Sequence, residues 1–338
     1  MAKRSFQLSV LGVVLSLLLI PLIFSTNTYA EPKVLKLSHQ WPQGDVRDLW
    51  TRKFVEIVEQ ETKGNIKFRI YPAASLYKAN TQFDAMRKGG LDACTLPFIY
   101  LSGKIPAYAI TSMPCLVKNS VQGSKWGESE IGKRLDEIGM KNGFKTISWG
   151  CQMGSIGNKD KPIILPSDLK GFKVRGAGWA MEELLRAGGA AITSMPSTEI
   201  YFALQTGALD GCTTTYSSFL SFRLYEVLDH LTISKDYAIF NAHIGILIAN
   251  KTWNRLTEAE QKAIIKAGKA SETFMVELTY STLDKCEKAF REKGVKIHDL
   301  SEENFNKWFE LAKKTAFKEY AKKVENGQEL LDLALQVK

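Results

Sequence analysis

Cysteine is sparse and scattered. Cys94, Cys115, Cys151, Cys212 and Cys286 include no C-x-x-C pair in 338 residues, so thiolate metal sites of the usual spacing are excluded. An odd count leaves at least one thiol unpaired in any disulfide scheme, and buried apolar thiols are the expectation. Histidine is scarcer still: His39, His230, His243 and His298 have no metal-ligand spacing. The sequence also lacks G-x-S-x-G, H-E-x-x-H and a P-loop, and Gly176-Ala177-Gly178 has no third glycine where a dinucleotide fingerprint needs one. No basic block stands alone. The 45 Lys and Arg are interspersed with 36 Asp and Glu, notably along 287–293 and 302–323, which reads as solvated surface and gives no nucleic-acid footprint. Together these gaps argue against catalysis, a resident metal or cofactor, and nucleic-acid binding.

The long apolar run is confined to the start. Lys3 and Arg4 precede an apolar stretch from Leu8 to Phe24, interrupted by Pro21, and Thr28-Tyr29-Ala30 supplies small residues for a signal peptidase. Cleavage after Ala30 is expected. The run is short and is followed by a polar Ser-Thr-Asn-Thr stretch, which disfavours an anchor helix. No cysteine lies near that point to carry a lipid, so export to the periplasm as a monomer free of the membrane is expected. Losing Lys3 and Arg4 takes the formal net charge from +9 to +7. The remaining 308 residues suit two domains of about 150 residues each.

The expected mature chain opens as strand, helix, strand. Val34 to Ser38 alternates, Val46 to Thr62 has helical periodicity, Gly64-Asn65 turns, and Ile66 to Tyr71 alternates again. Further strands are predicted at 145–149, 172–175, 191–194 and 243–249, separated by helical stretches, which implies α/β layers with a mostly parallel sheet. An internal echo adds that two similarly built halves exist. Ala85 to Thr95 matches Ala203 to Thr213 at six of eleven positions, each copy reading as a helix that stops at Gly89 or Gly207 before Leu-Asp leads into a strand. Asp92 and Asp210 are then turn and strand-start residues rather than a catalytic pair. Thr257 to Glu260 is a capping box, and a helix from there towards Gly294 would span about 54 Å, enough to bridge two lobes. Gly268 in its middle leaves open a bend instead.

Arg175 is the leading site candidate. It falls at the carboxyl end of the strand 172–175, before the glycine-rich turn 176–178 and a helix from Trp179. Open α/β sheets bind ligands at that end, and an arginine fork can grip a carboxylate with two hydrogen bonds.

The run Pro166 to Arg175, followed by Met195-Pro-Ser-Thr-Glu-Ile-Tyr201 and Ala203 to Gly211, closely resembles the central region of the solute receptors of TRAP transporters, the DctP family. Tyr71-Pro72, Ala85 to Asp92, Val227 and His230-Leu231-Thr232 extend the match over nearly the whole chain. The resemblance implies a two-lobe periplasmic-binding-protein-like α/β fold with a long helix bridging the lobes. It places the lobes at 31–151 plus 242–280 and at 152–241 plus 281–338. It also implies an arginine at 175 that grips a ligand carboxylate, and docking on sodium-coupled membrane subunits.

Two departures narrow the ligand. The arginine that many relatives carry within the segment matching 151–158 is absent, so a second cationic clamp is not expected. After Asp210-Gly211 the run Cys212-Thr213-Thr214-Thr215-Tyr216 replaces the usual polar wall. Thr214, Tyr216 and Ser197 are therefore candidate hydrogen-bonding positions, Trp41, Phe98 and Trp179 candidate apolar walls, and His39 a lesser candidate for the cleft. One arginine with apolar walls suits a monocarboxylate with an apolar or aromatic body; a sulfonate would fit the same fork. The alternatives are a two-lobe receptor for an ATP-driven (ABC) importer or a sensor kinase, and a periplasmic enzyme.

Overall fold

The computed structural model describes residues 31–338. The predicted signal segment 1–30 lies outside them. β1 (Lys33–Ser38), α1 (Val46–Glu61) and β2 (Ile66–Tyr71) form the predicted opening unit, with β1 and β2 parallel. α2 (Gln82–Arg87) leads into β3 (Ala93–Pro97), and the chain then reaches the long β4 (Phe144–Asn158). The second half repeats the plan: β5 (Lys173–Gly176), α3 (Trp179–Ala187), β6 (Ala191–Ser194), α4 (Ile200–Gln205), β7 (Gly211–Thr215) and α5 (Tyr216–Ser221). β8 (His230–Ile233), β9 (Phe240–Ala249), α6 (Glu258–Glu292) and β10 (Lys296–Asp299) follow, and shorter helices close the chain.

The ten strands form one sheet whose main path is β2-β1-β3-β9-β4-β7-β5-β6. Its ends mirror each other. β1 pairs in parallel with β2 and β3, β5 pairs in parallel with β6 and β7, and the antiparallel β9 and β4 join the two triplets. The sheet is thus mixed, and the antiparallel pairings lie in its centre and along β4. β4 extends beyond the predicted strand 145–149 and pairs with β9, then with β7 and β8.

The echo has a structural cause. α2 and α4 each end at a glycine of positive φ, Gly89 (+84°) and Gly207 (+75°), a conformation that side chains bearing a Cβ adopt at a cost. The next leucines, Leu91 and Leu209, are buried. Asp92 and Asp210 then accept the backbone N–H of Lys36 within β1 (2.8 Å) and of Lys173 at the start of β5 (2.7 Å), pinning each to the neighbouring parallel strand.

α6 is one uninterrupted helix of 35 residues, about 52 Å long. The predicted capping box is present: Glu260 N–H donates to Thr257 Oγ1, and the Glu260 carboxylate accepts from Thr257 N–H. Gly268 does not interrupt it. A Cβ there would sit 2.2 Å from the carbonyl oxygen of Ile147, so the glycine lets the helix lie directly on β4. Towards its N-terminus α6 packs with Trp50 and Ile147; towards its C-terminus Cys286 and Phe290 join the cluster around Phe219. All five cysteines are buried and free, and burial raises every thiol from its ordinary value, that of Cys94 to about 12.

Candidate functional site

The carboxyl ends of the two parallel triplets converge on one cavity. From the first half come Gln40 after β1, Arg47 in the first turn of α1, Pro97 at the end of β3, and Ile99 and Tyr100 just beyond it. From the second come Arg175 and Ala177 around the end of β5, Ser197 after β6, and Thr214, Thr215 and Ser218 on β7 and α5. Phe240, Ala242 and Ile244 of the central β9 complete it. The space is about 30 Å³, room for one or two water molecules. Larger hollows of about 520 and 550 Å³ lie between the segments 104–142 and 309–338, and they hold neither Arg175 nor any other residue of this cavity.

Arg175 stands as the sequence led us to expect. It is 2% exposed, and its Nε and Nη1 donate to the carbonyls of Met195 (3.0 Å) and Thr213 (2.8 Å), while Thr213 Oγ1 donates back to Arg175 O (3.2 Å). These contacts fix the fork between β5 and β7. Among the described residues, Tyr100 is the one further side chain that approaches its remaining N–H groups as a hydrogen-bond partner, and no carboxylate is hydrogen-bonded to it. Glu182 lies close enough to favour its charge but does not line the cavity. Burial pulls the guanidinium below its ordinary value, opposed first by Tyr100. A buried cation without a counter-ion is costly, and an incoming anion removes that cost.

Polar side chains meet across the cavity. Gln40 Nε2 donates to Ser197 Oγ (3.1 Å), and Ser197 N–H donates to Tyr100 Oη (3.1 Å). Gln40 Oε1 is buried without a donor. Arg47 is the surprise. It is 2% exposed, lies over the Trp41 ring at 4.5 Å, forms a two-pronged ion pair with Asp45 (2.7 and 2.6 Å), and reaches across to Ser218 Oγ (2.9 Å) and Thr215 Oγ1 (3.3 Å).

Of the eight residues expected from sequence, Arg175, Ser197 and Thr214 share this cavity. The other five sit elsewhere. Trp41 is fully buried beneath Arg47, and Phe98 stacks on Tyr108 and packs against Gly245 and Trp149. His39 is buried against Asp48 (3.1 Å), where hydrogen bonds from His39, Arg52 and Gly44 overcome desolvation and hold the Asp48 carboxyl at about 2. Trp179 stacks on Tyr320 on the outer side of α3. Tyr216 lies over a separate hollow and accepts the Ser234 N–H with its hydroxyl (3.1 Å). On the same loops, neighbouring residues face the cavity: Gln40 in place of Trp41, Ile99 and Tyr100 in place of Phe98. Arg47 was missed, although an arginine in the first turn of a helix opposes the dipole and asks for an explanation, which Asp45 at the N-cap provides.

The family model for bacterial extracellular solute-binding proteins, family 7 (DctP), matches residues 37–323. The chain belongs to this family. It is 37% identical over 313 residues to a solute-binding protein of Albidiferax ferrireducens, covering 91% of this chain and 93% of that one. It is 24% identical over 308 residues to the C4-dicarboxylate-binding periplasmic protein DctP of Rhodobacter capsulatus, covering 89% and 91%. Among solved structures, a TRAP periplasmic solute-binding protein of Rhodoferax ferrireducens with bound malonate superimposes with a TM-score of 0.87 at 37% identity, over 90% of this chain and 98% of that one. The DctP family consists of solute-binding receptors and not enzymes, and its TRAP members work with membrane subunits. Among the described residues of this DctP chain, no helix is long and apolar enough to cross a membrane.

Proposed function

We propose that this chain is the periplasmic receptor of a sodium-coupled TRAP transporter and captures a small monocarboxylate with a compact apolar body. The observation that carries the reading is the buried, fixed Arg175 guanidinium, unpaired with any carboxylate, on a small cavity. Its free N–H groups suit one carboxylate, with Ser197, Thr214, Gln40 and Tyr100 as further polar contacts. The side chains of Pro97, Ile99, Ala177, Phe240, Ala242 and Ile244 supply apolar walls. Relatives with bound malonate, succinate and pyroglutamic acid support a small organic acid as the solute class. Arg47 is neutralised by Asp45, so Arg175, with Glu182 nearby but outside the cavity, is the one cation lining it that has no hydrogen-bonded carboxylate, which favours one carboxylate over two.

The mirrored sheet supports two lobes at 31–151 plus 242–280 and at 152–241 plus 281–338, joined through β4, β9 and α6, with the solute between them. Residues 1–30 direct export and are removed on translocation, and the closed receptor docks on the membrane subunits.

Isothermal calorimetry with mono- and dicarboxylates of three to five carbons, hexuronates and short sulfonates tests the reading. Arg175→Ala should weaken binding of the best ligand by several kcal/mol, since a charge-assisted, two-pronged contact is lost and the carboxylate is left unpaired. Arg175→Lys should recover only part of it, because an ammonium cannot reproduce the fork. Unchanged affinity in Arg175→Ala removes this residue from the site, and binding confined to hexuronates or dicarboxylates refutes the monocarboxylate assignment.

A further inference from the structure

The cavity contains a second arginine that its own neighbour has taken out of service. Arg47 spends Nε and Nη2 on the Asp45 carboxylate (2.7 and 2.6 Å) and Nη1 on Ser218 and Thr215. Both members of the pair are buried, at 2% and 6% exposure. We infer that Asp45 is the residue that sets the charge selectivity of the site: by masking Arg47 it tunes the cleft to singly charged acids, and without it Arg47 becomes a second carboxylate clamp. The inference rests on the proposed monocarboxylate reading and names the side chain responsible for it.

The physics is a count of buried charges. Arg175 presents one positive charge to the solute; Arg47 and Asp45 together present none. A dicarboxylate entering this space brings one negative charge more than the walls compensate, in a setting where water is largely excluded. Removing the Asp45 charge makes two cations face the cavity, from opposite halves of the protein, and the balance then favours the dianion. Asn can keep the local structure because it also serves as an N-cap, and Asp45 holds that position for α1 by accepting the Arg47 N–H (2.8 Å).

The test uses 3-methylbutanoate and malonate, which have similar shapes, an isopropyl group in one standing where the other has its second carboxylate. Calorimetry is run on the mature full-length protein and on three variants. Wild type should prefer 3-methylbutanoate. Asp45→Asn should shift the ratio of the two dissociation constants towards malonate by about tenfold or more, and malonate should raise its melting temperature more than 3-methylbutanoate does. Arg47→Met leaves Asp45 unmasked and should weaken both acids, malonate more. The double variant Asp45→Asn with Arg47→Met should return to preferring the monoacid, so the series remains decisive even if the buried unpaired arginine of Asp45→Asn impairs folding. A wild type that binds 3-methylbutanoate, with the same ratio in every variant, overturns the role of Asp45 alone. A wild type that binds malonate in preference, or neither acid, overturns the monocarboxylate reading beneath it.

Discussion

His243 illustrates how much a single buried side chain can bear. Its ring is fully enclosed on β9, with Nδ1 3.0 Å from Thr111 O and Nε2 3.2 Å from Gly123 O. A neutral ring can donate to only one of these carbonyls, yet burial outweighs both and pulls the imidazole down to about 4. Between pH 6.5 and about 4 the unfolded chain therefore takes up a proton that the native protein refuses, and the stability His243 contributes falls with pH by about 3 kcal/mol across that window. Asp136 acts in the opposite sense, because burial raises its carboxyl to about 6 and the native state binds its proton first as pH falls. The two largely overlap, so the wild-type profile should be shallow. Urea unfolding at pH 7 and pH 4.5 should separate them: His243→Gln gains stability towards acid relative to wild type, and Asp136→Asn loses it.

Among the elements, α6 depends most on one small residue. The Cβ that Gly268→Ala introduces would meet the Ile147 carbonyl at 2.2 Å and the Ile147 side chain at 2.8 Å, backbone that cannot rotate away. The helix must lift off β4, breaking the bond from Ser148 Oγ to Gly268 O (2.8 Å) and straining that from Trp50 Nε1 to Ser271 Oγ (3.1 Å). Overpacking of this kind costs about 1–3 kcal/mol, although alanine is the better helix former. A denaturation midpoint in Gly268→Ala at or above that of wild type would show that the contact relaxes freely. From sequence Gly268 read as a possible bend, since a lone glycine in a helical pattern looks like a weakness; its use as a contact surface depends on a strand 120 residues earlier. The same blindness shortened β4, where Gly150, Gly154 and Gly157 break the alternation. At Gly154 a Cβ would lie 2.1 Å from Thr214 O, so the apparent strand breaker permits the approach of β7.

For the whole molecule, side chains from the two ends of the sheet bond to each other across the cavity. Gln40, Arg47 and Tyr100 from one half bond to Ser197, Thr215 and Ser218 of the other, around about 30 Å³ of space. On the proposed reading a solute of several carbons needs more room than this cavity offers, so its entry would break these bonds and separate the proposed lobes. Small-angle scattering should give a smaller radius of gyration with saturating ligand than without it. Ligand at about a hundred times its dissociation constant should stabilise the protein by about 2.7 kcal/mol if it binds only the native state. An unchanged radius of gyration would argue against closure over the solute.

Local pattern determined a good deal. The alternation of β1 and β2, the twin helix-glycine-aspartate-strand units, the capping box of α6 and the position of Arg175 at a strand's end all follow from short-range rules, because a strand's period, a positive-φ stop and a cap are fixed by neighbouring residues. The tertiary structure decided which side chains of each loop face the cavity, and that Arg47 arrives there paired with Asp45. A shift of one residue turns a side chain from the core to the cavity, and a buried charge acquires its meaning from whatever stands within a few ångströms, which no local spacing encodes.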